Sequence, residues 1–182
     1  MVVSGPSGVG KGTVCKLILS RNDDIKLSVS ATTRTPRTED TEGVTYYFKS
    51  KPEFEKMIED TAFLEWAVYN GNYYGTPVAA VEENLNNGIS VILEIDAQGA
   101  LDVKKKRPDA VLIFIAPPDK NTLFERLKGR GTEDDEEISK RIAAADWELS
   151  QMEKYDYTVV NDDLDTAVIN IENIMKSEKE KM

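Results

Sequence analysis

A glycine-rich run near the N-terminus, Gly5-Pro-Ser-Gly-Val-Gly-Lys-Gly-Thr13, constrains the fold of this chain more than any other feature. A short apolar run, residues 1–4, precedes it, and a helical pattern, residues 12–20, follows it. Glycine lets successive backbone N–H groups turn inward toward phosphate oxygens, and the helix N-terminus adds its dipole. Lys11 adds a positive charge. We therefore predict a phosphate-binding loop between the first strand and the first helix.

The residue after Lys11 departs from the usual phosphate-loop pattern. Ser or Thr commonly stands there and ligates Mg²⁺, whereas this chain has Gly12. Thr13 carries the nearest hydroxyl, which leaves direct ligation and ligation through water both open. Because the spacing Gly-x4-Gly-Lys also arises by chance, the strand before the loop and the helix after it are what argue against a simple glycine turn.

Short apolar runs alternate with helical patterns along most of the chain. The apolar runs are rich in Val and Ile, which suits strands buried on both faces. Strand and helix in alternation predict an α/β fold with a parallel sheet covered by helices. The predicted core strands are residues 1–4, 27–31, 89–95, 110–116 and 156–160, and the predicted helices are residues 12–20, 98–106, 121–128, 136–154 and 165–176.

Residues 32–88 break this alternation and predict a separate mixed lobe. Strand candidates lie at residues 44–48 and 63–69, and Asn70-Gly71 predicts a tight turn directly after the second of them. Two helix starts are predicted here, a capping box at Ser50 and an N-cap at Thr76 with Pro77 in the first helical position.

Arginine is concentrated in this lobe and around a second irregular segment, residues 129–137. That segment combines glycines with a run of acids and predicts an exposed, mobile loop. Arginine grips phosphate through a planar fork, so the distribution predicts two cationic clamps and hence transfer between two phosphorylated ligands. Surface salt bridges are the alternative. The five arginines concerned are Arg34, Arg37, Arg126, Arg130 and Arg141.

Composition narrows the function classes further. The formal net charge of −10 argues against broad nucleic-acid binding, and the absence of His removes histidine bases and histidine metal ligands. The lone Cys15 excludes an intrachain disulfide and favours a reducing cytoplasm. No apolar run approaches the roughly 20 residues of a membrane span, and no secretory signal is expected. The chain begins only four residues before Gly5, which leaves a trimmed start open.

Several motifs, in order and at matching spacing over nearly the whole chain, resemble the guanylate kinase family. The motifs are Ser-Gly-Pro-Ser-Gly-Val-Gly-Lys at 4–11, Ser28-Val-Ser-Ala-Thr-Thr-Arg-Thr-Pro-Arg37, Gly71-Asn-Tyr-Tyr-Gly75, Glu94-Ile-Asp-Ala-Gln-Gly99, Gly129-Arg-Gly131 and Val160-Asn-Asp-Asp163. The resemblance implies the P-loop nucleoside monophosphate kinase fold, with a five-stranded parallel sheet and helices on both faces. It also implies the reaction ATP + GMP = ADP + GDP with Mg²⁺, in purine nucleotide metabolism.

The resemblance divides the chain into three parts. The core domain would comprise residues 1–31, 89–128 and 151–182, the GMP-binding lobe residues 32–88, and the lid with its following helix residues 129–150. ATP and GMP are the expected partners, neither nucleic acid nor membrane is expected, and the oligomeric state is left open.

The family's GMP contacts carry over to eight positions. Guanine presents donors at N1 and N2 and an acceptor at O6, and a pair of carboxylates with hydroxyls complements this pattern. Adenine would leave the carboxylates facing an acceptor or unpaired. The alternative is that Glu65 and Asp96 only satisfy nearby backbone donors. Of the adjacent tyrosines, Tyr74 is assigned to phosphate and Tyr73 to packing. The phosphate contacts are Arg34, Arg37, Tyr46 and Tyr74, and the guanine contacts are Ser30, Glu65, Thr76 and Asp96.

The ATP side carries over in the same way. Lys11, Arg34, Arg130 and Arg141 are the expected catalytic residues, with Arg130 and Arg141 meeting the transferred phosphoryl group when the lid closes. Thr13 and Glu94 are the expected Mg²⁺ ligands, Glu94 through water. The expected ATP-binding residues are Gly5, Pro6, Ser7, Gly8, Val9, Gly10, Lys11, Gly12, Thr13, Arg126 and Asn161, the last as an adenine contact.

Two other functions compete with this interpretation. Guanylate-kinase-like domains of membrane-associated scaffolds bind partners without catalysis, but they have lost phosphate-loop residues that this chain keeps. A sister kinase acting on AMP or a pyrimidine monophosphate is the second, and the pair Glu65 and Asp96 argues against it. The loop Thr38-Glu39-Asp40 departs from the Pro-Gly-Glu turn common in the family.

Overall fold

The computed structural model of the protein describes residues 1–128 and 135–181. Its strands are, in chain order, β1 (Val2–Ser4), β2 (Ile25–Leu27), β3 (Ala31–Thr32), β4 (Tyr47–Phe48), β5 (Phe63–Tyr69), β6 (Asn72–Pro77), β7 (Ser90–Glu94), β8 (Leu112–Ala116) and β9 (Tyr157–Val160). Its helices are α1 (Lys11–Arg21), α2 (Lys51–Glu59), α3 (Val78–Asn86), α4 (Ala97–Lys106), α5 (Lys120–Lys128), α6 (Asp135–Ser150) and α7 (Leu164–Lys179), with a 3₁₀ turn at Met152–Lys154.

The core is a parallel sheet of five strands in the order β2-β7-β1-β8-β9. Alternate residues of β1 point to opposite faces, so Val3 packs in one apolar cluster and Val2 in another. The first cluster includes residues of α1, α5 and α7, and the second includes residues of α3 and α4. The predicted fold, a five-stranded parallel sheet with helices on both faces, is confirmed.

A second, four-stranded sheet in the order β4-β3-β6-β5 lies within the predicted lobe. β5 and β6 form an antiparallel hairpin across Asn70-Gly71, where both residues have positive φ (47° and 76°), so the predicted turn is confirmed. Helix α2 covers this sheet, with the ring of Phe54 stacked between Phe63 and Tyr73. Strand β6, which pairs with both neighbours, was not predicted.

Three predicted elements of the chain were wrong in detail. The strand at 27–31 is instead the end of β2 and the start of β3, because the chain leaves the core sheet after Ser28 N bonds to Ile92 O. The strand at 44–48 shortens to β4, because residues 41–45 form a turn. The helix at 136–154 ends at Ser150 and gives way to the 3₁₀ turn.

The predicted N-cap of α3 was also wrong. Thr76 belongs to β6, opposite Glu65, and the N-cap is Pro77. The Thr76 hydroxyl donates to the Glu65 carboxylate rather than capping the helix. Of the predicted loop 129–137, residues 129–134 lie outside the described residues, and residues 135–137 open α6.

Candidate active site

The glycine-rich loop joins β1 to α1 at the carboxyl edge of the core sheet. Gly8 and Gly10 have φ of 84° and 94°, a left-handed conformation that side chains disfavour. Gly5 also has positive φ, and a Cβ atom there would lie only 2.2 Å from the carbonyl oxygen of Ile115 on β8. The loop therefore has its shape because glycine occupies these three positions.

Lys11 folds back over the loop that it follows. Its Nζ donates to the carbonyl oxygens of Gly5 (2.5 Å) and Pro6 (3.2 Å). Burial lowers the pKa of Lys11, while the carboxylates of Glu148, Glu94 and Asp96 oppose that shift. A desolvated ammonium bound only to carbonyl oxygens is poised to move to phosphate oxygens, which carry full negative charge.

Asn161, predicted as an adenine contact, lies directly beneath the loop. Its side chain is 6% exposed, and Nδ2 donates to the carbonyl oxygen of Val9 at 2.8 Å. The guanidinium of Arg126 lies 3.3 Å and 3.4 Å from the Asn161 carbonyl oxygen. Asn161 and Arg126 therefore support the ATP side of the cleft, and a direct nucleotide contact for either stays a prediction.

Glu148, on α6, is a site residue that the sequence did not reveal. The backbone N–H of Ser7 in the phosphate loop points to its Oε2 at 3.4 Å. Burial raises the pKa of Glu148, and the charge of Lys11 opposes that shift. Glu148 thus links the helix that follows the predicted lid to the phosphate loop. Glu148 belongs to no sequence motif, so only the fold shows that it lies beside the phosphate loop.

The expected Mg²⁺ ligands lie at the start of α1 and the end of β7. A Cβ atom on Gly12 would lie 3.4 Å from Oε1 of Glu94, an ordinary contact distance, so this carboxylate lies directly beside the start of α1. Thr13 is exposed on the next position of the helix. Among the described residues, no group of three or more acidic, His or Cys side chains could enclose a metal. The oxygen donors here are one carboxylate, of Glu94, and one hydroxyl, of Thr13, and such a donor set fits Mg²⁺, which keeps several waters and relies on substrate phosphates and one or two carboxylates.

Across the cleft, the two predicted guanine carboxylates lie side by side. Glu65, on β5, is 8% exposed, and the buried hydroxyl of Thr76 donates to its Oε1 at 2.5 Å. Asp96 is the N-cap of α4, and its Oδ1 accepts from the N–H of Gly99 at 2.7 Å. Burial raises the pKa of Glu65; the Thr76 hydroxyl opposes this, and the charge of Asp96 adds to it. Both acids do satisfy local donors, and they also form an acidic pair.

Asp96 connects the two halves of the cleft. Its charge raises the pKa of Lys11 on the ATP side and also that of Glu65 in the lobe. One carboxylate is therefore close enough to act electrostatically on both Lys11 and Glu65.

Arg34 organises the cationic part of the lobe. Its guanidinium forms an ion pair with Asp40 at 2.8 Å and lies 5.4 Å from the ring centre of Tyr46 and 5.8 Å from that of Phe48. The Tyr46 ring meets that of Tyr74 edge to face at 5.9 Å. The hydrogen bond that the Arg34 guanidinium donates to the Asp40 carboxylate raises the pKa of Arg34, which keeps this charge fixed. Three of the four predicted phosphate contacts therefore lie together.

The fourth, Arg37, is exposed at the tip of the same loop. Asp40 shapes this loop, because its Oδ2 accepts from the backbone N–H of Arg37 at 2.7 Å. Asp40 belongs to the segment where the chain departs from the family's usual turn, and its role was missed. Ser30 lies just before β3, where its carbonyl accepts from Tyr47 N at 2.9 Å.

The remaining arginines lie in different settings, and the two-clamp arrangement stays a prediction. Arg21 and Arg107, which lie outside the two irregular segments, form ion pairs with Asp165 and Asp109 at the surface. Arg141 is half-buried on α6. Arg130 lies outside the described residues. Tyr73 packs on Phe54 inside the lobe, as predicted.

Comparisons with known proteins agree on one family. A model of the family described as guanylate kinase matches residues 1–178. The guanylate kinase of Caldanaerobacter subterraneus subsp. tengcongensis is 54% identical over 179 residues, which cover 98% of this chain and 87% of that protein. The guanylate kinase of Clostridioides difficile is 52% identical over 182 residues, covering 100% of this chain and 89% of that protein.

A solved structure of a member of the same family has a similar fold. The crystal structure of guanylate kinase from Anaplasma phagocytophilum is 35% identical, with a TM-score of 0.75, and the match covers 97% of this chain and 84% of that chain. Together with the geometry of the phosphate loop and the acidic pair, these matches show that the chain belongs to the guanylate kinase family.

Proposed function

We propose that this cleft carries out the guanylate kinase reaction, in which ATP phosphorylates GMP to ADP and GDP, with ATP at the glycine-rich loop and GMP in the four-stranded lobe. The observation that carries the proposal is that a half-buried lysine at the phosphate loop and an acidic pair, buried Glu65 and exposed Asp96, lie near one another, with Asp96 acting electrostatically on both Lys11 and Glu65. A phosphate site alone would fit many nucleotide-binding proteins. The acidic pair restricts the second ligand to one that presents hydrogen-bond donors.

Guanine is the base that fits this pair. Glu65 and Asp96 can accept hydrogen bonds from the N1 and N2 donors of guanine. Adenine presents an acceptor at N1, which would leave a buried carboxylate unpaired and cost binding energy. Thr76 orients Glu65 through its hydroxyl, and Ser30 is the second hydroxyl assigned to the base.

The phosphate of GMP would lie against Arg34, Arg37, Tyr46 and Tyr74. Arg34 is held in place by Asp40 and by two aromatic rings, so its guanidinium needs little reorganisation to bind phosphate. The attacking oxygen of GMP is already anionic, so the reaction needs no general base. The protein's contribution is to position two anions that repel each other and to neutralise their charge.

On the ATP side, Lys11 exchanges the carbonyl oxygens of Gly5 and Pro6 for phosphate oxygens. The inward-facing N–H groups of the loop and the N-terminus of α1 bind the same phosphates. Arg130 and Arg141 approach the transferred phosphoryl group from the lid. Arg126 and Asn161 complete the nucleotide side.

Mg²⁺ supplies charge neutralisation on the ATP phosphates when it is bound. Glu94 would hold it through water, and the hydroxyl of Thr13 is the second protein oxygen available at the start of α1. The start of α1 lies directly beside the Glu94 carboxylate, since even a Cβ atom on Gly12 would be in ordinary contact with it.

The three parts of the chain would move relative to one another during catalysis. Residues 1–31, 89–128 and 151–182 form the proposed core, residues 32–88 the GMP lobe, and residues 129–150 the lid and its helix. Closure of lobe and lid excludes water, which would otherwise hydrolyse ATP. Every described helix is too short or too polar to cross a membrane. We propose a cytoplasmic location, in keeping with the single buried thiol of Cys15.

A coupled assay of ADP release tests this function. Purified protein is given ATP and Mg²⁺ with GMP, AMP, UMP or CMP in turn, and we expect kcat/KM for GMP to exceed the others by at least about 100-fold. Comparable rates with AMP or a pyrimidine nucleotide would indicate a sister kinase. GMP binding without ADP release would indicate a binding module. Either result would refute the proposal.

A further inference from the structure

Gly99 lies in the first turn of α4, directly beside both members of the acidic pair. A Cβ atom on Gly99 would lie 3.2 Å from Oε2 of Glu65 and 3.4 Å from Oδ1 of Asp96. The third atom nearest to that position is Cγ of Glu65, at 3.4 Å. A side chain at position 99 would therefore press first on the two carboxylates, and on Glu65 most.

The backbone gives no reason for glycine at this position. Gly99 is helical and does not belong to the glycines with positive φ. Within a helix, glycine is less favourable than alanine because its backbone loses more freedom. The missing Cβ must therefore serve the neighbouring side chains, and those neighbours are the carboxylates.

The acidic pair is held on three sides, which makes it sensitive to a small displacement. Thr76 binds Oε1 of Glu65, and the N–H of Gly99 itself binds Oδ1 of Asp96. Lys106, also on α4, ties the helix to the lobe by donating to the carbonyl oxygen of Phe63 at 2.8 Å. Because Lys106 opposes a movement of the helix away from the lobe, a methyl group at position 99 is expected to displace Oε2 of Glu65 by a few tenths of an ångström.

We propose that Gly99 is a positioning residue for base selection: its missing side chain sets the spacing of the Glu65 and Asp96 carboxylates that guanine requires. The inference rests on the proposed function, because it takes the acidic pair as the guanine site. It goes beyond that function by assigning specificity to a residue that makes no polar side-chain contact of its own.

The variant Gly99→Ala tests this role, with inosine monophosphate (IMP) as a second substrate. IMP lacks the N2 amino group and therefore needs one carboxylate contact fewer than GMP. We expect KM for GMP to rise about tenfold and the ratio of kcat/KM for GMP over IMP to fall about fivefold, as for one misaligned charged hydrogen bond. KM for ATP should stay within twofold, and the melting temperature should not fall, because alanine favours the helix.

Two further variants separate positioning from packing. Gln98→Ala changes the neighbouring exposed residue of the same turn. It should leave KM for GMP and the ratio of kcat/KM for GMP over IMP unchanged. In a Glu65→Asp background, the shorter side chain withdraws from position 99, so Gly99→Ala should then change KM for GMP by less than twofold. The double variant should also fold if the single variant does not.

Clear results would overturn the inference. A GMP to IMP ratio that is unchanged in Gly99→Ala, with or without a lower melting temperature, would mean that the glycine serves packing alone. An equal effect of Gly99→Ala in the Glu65→Asp background would mean the same. Failure of the proposed function is a different result, since the unaltered protein would then not phosphorylate GMP at all.

Discussion

The two halves of the proposed cleft would bind anionic nucleotides by different means. The ATP half is built mainly from backbone, because three left-handed glycines turn the loop and the half-buried Lys11 supplies its positive charge. The GMP half is built from side chains of separate elements, with Glu65 on β5, Thr76 on β6 and Asp96 before α4. A backbone cradle accepts any phosphate, whereas a set of side chains can distinguish one base from another.

The two halves also bury charges of opposite sign. Burial lowers the pKa of Lys11 and raises the pKa of Glu65, so each charged form is disfavoured until a ligand arrives. Each group therefore destabilises the free protein at neutral pH and is suited to bind a ligand of complementary charge or donors. Stability and activity are expected to change in opposite directions when these groups are neutralised.

The largest effect is expected in the ATP half, from Lys11→Met. We expect kcat to fall about 1000-fold, because a charged donor to the transferred phosphate is lost in a site that excludes water. The free energy of unfolding by urea should not fall, because the variant removes a buried charge. Lys16→Met, on an exposed position of the same helix, is the control. A kcat within tenfold of the unaltered protein would contradict the role of Lys11.

The next largest effect is expected at the phosphate end of the GMP half, from Arg34→Ala. We expect kcat/KM for GMP to fall about 100-fold, the cost of a charge-assisted hydrogen bond to phosphate, while KM for ATP changes little. Arg21→Ala removes a surface ion pair with Asp165 and should leave kinetics unchanged. If both variants behaved alike, Arg34 would be only another surface ion pair.

Glu65→Gln should lower activity by less than Arg34→Ala does, and it should raise the stability of the fold. We expect kcat/KM for GMP to fall about 20-fold, because a charged acceptor becomes a neutral one. Since the folded-state pKa of Glu65 is raised, its charge destabilises the fold above that pKa, and this cost disappears as pH falls below it. At pH 7 the variant should therefore be about 1 kcal/mol more stable in urea unfolding. Glu83→Gln, on an exposed position of α3, should change neither quantity.

The same raised pKa predicts a pH profile for GMP. In the unaltered protein, kcat/KM for GMP should decline on the acid side at a higher pH than an ordinary glutamate would cause, because protonated Glu65 no longer accepts two hydrogen bonds. Glu65→Gln should lose that part of the profile. An identical acid limb in both proteins would assign the titration to another group.

The smallest effect on activity is expected from Asn161→Ala, which tests support of the backbone cradle. The carbonyl oxygen of Val9 would lose its buried donor, at a cost of about 1–2 kcal/mol in unfolding free energy. KM for ATP should rise only about threefold, because the loop itself remains. Asn170→Ala, exposed on α7, is the control. A large rise in KM without loss of stability would favour a direct contact with the nucleotide.

The parts of this protein that were predictable are those in which chemistry is local. The phosphate loop follows from glycines and a lysine in one short run, and the turn at Asn70-Gly71 follows from a dipeptide that accepts positive φ. The core strands follow from Val and Ile runs, with ends that differ by a few residues. The proposed base contacts, by contrast, came only from the resemblance to a family, because Glu65 and Asp96 are 31 positions apart with no pattern that joins them.

The errors have a common physical cause, which is competition from tertiary partners. Threonine is a common N-cap residue, but the hydroxyl of Thr76 donates instead to the Glu65 carboxylate across the hairpin. The roles of Asp40 and Glu148 were not predicted, because a single acid in an acidic chain carries no local signal. Their importance arises from Arg34 in one case and from the loop N–H of Ser7 in the other.

The sequence by itself determined the class of fold, the phosphate loop and the family, since each depends on residue types at short spacing. Only the tertiary structure decided that Asp96 acts electrostatically on both Lys11 and Glu65, that Glu148 contacts the loop and that Gly99 lies against both acids. These relations depend on distances between elements, and such distances follow from how the two sheets and the helices pack together.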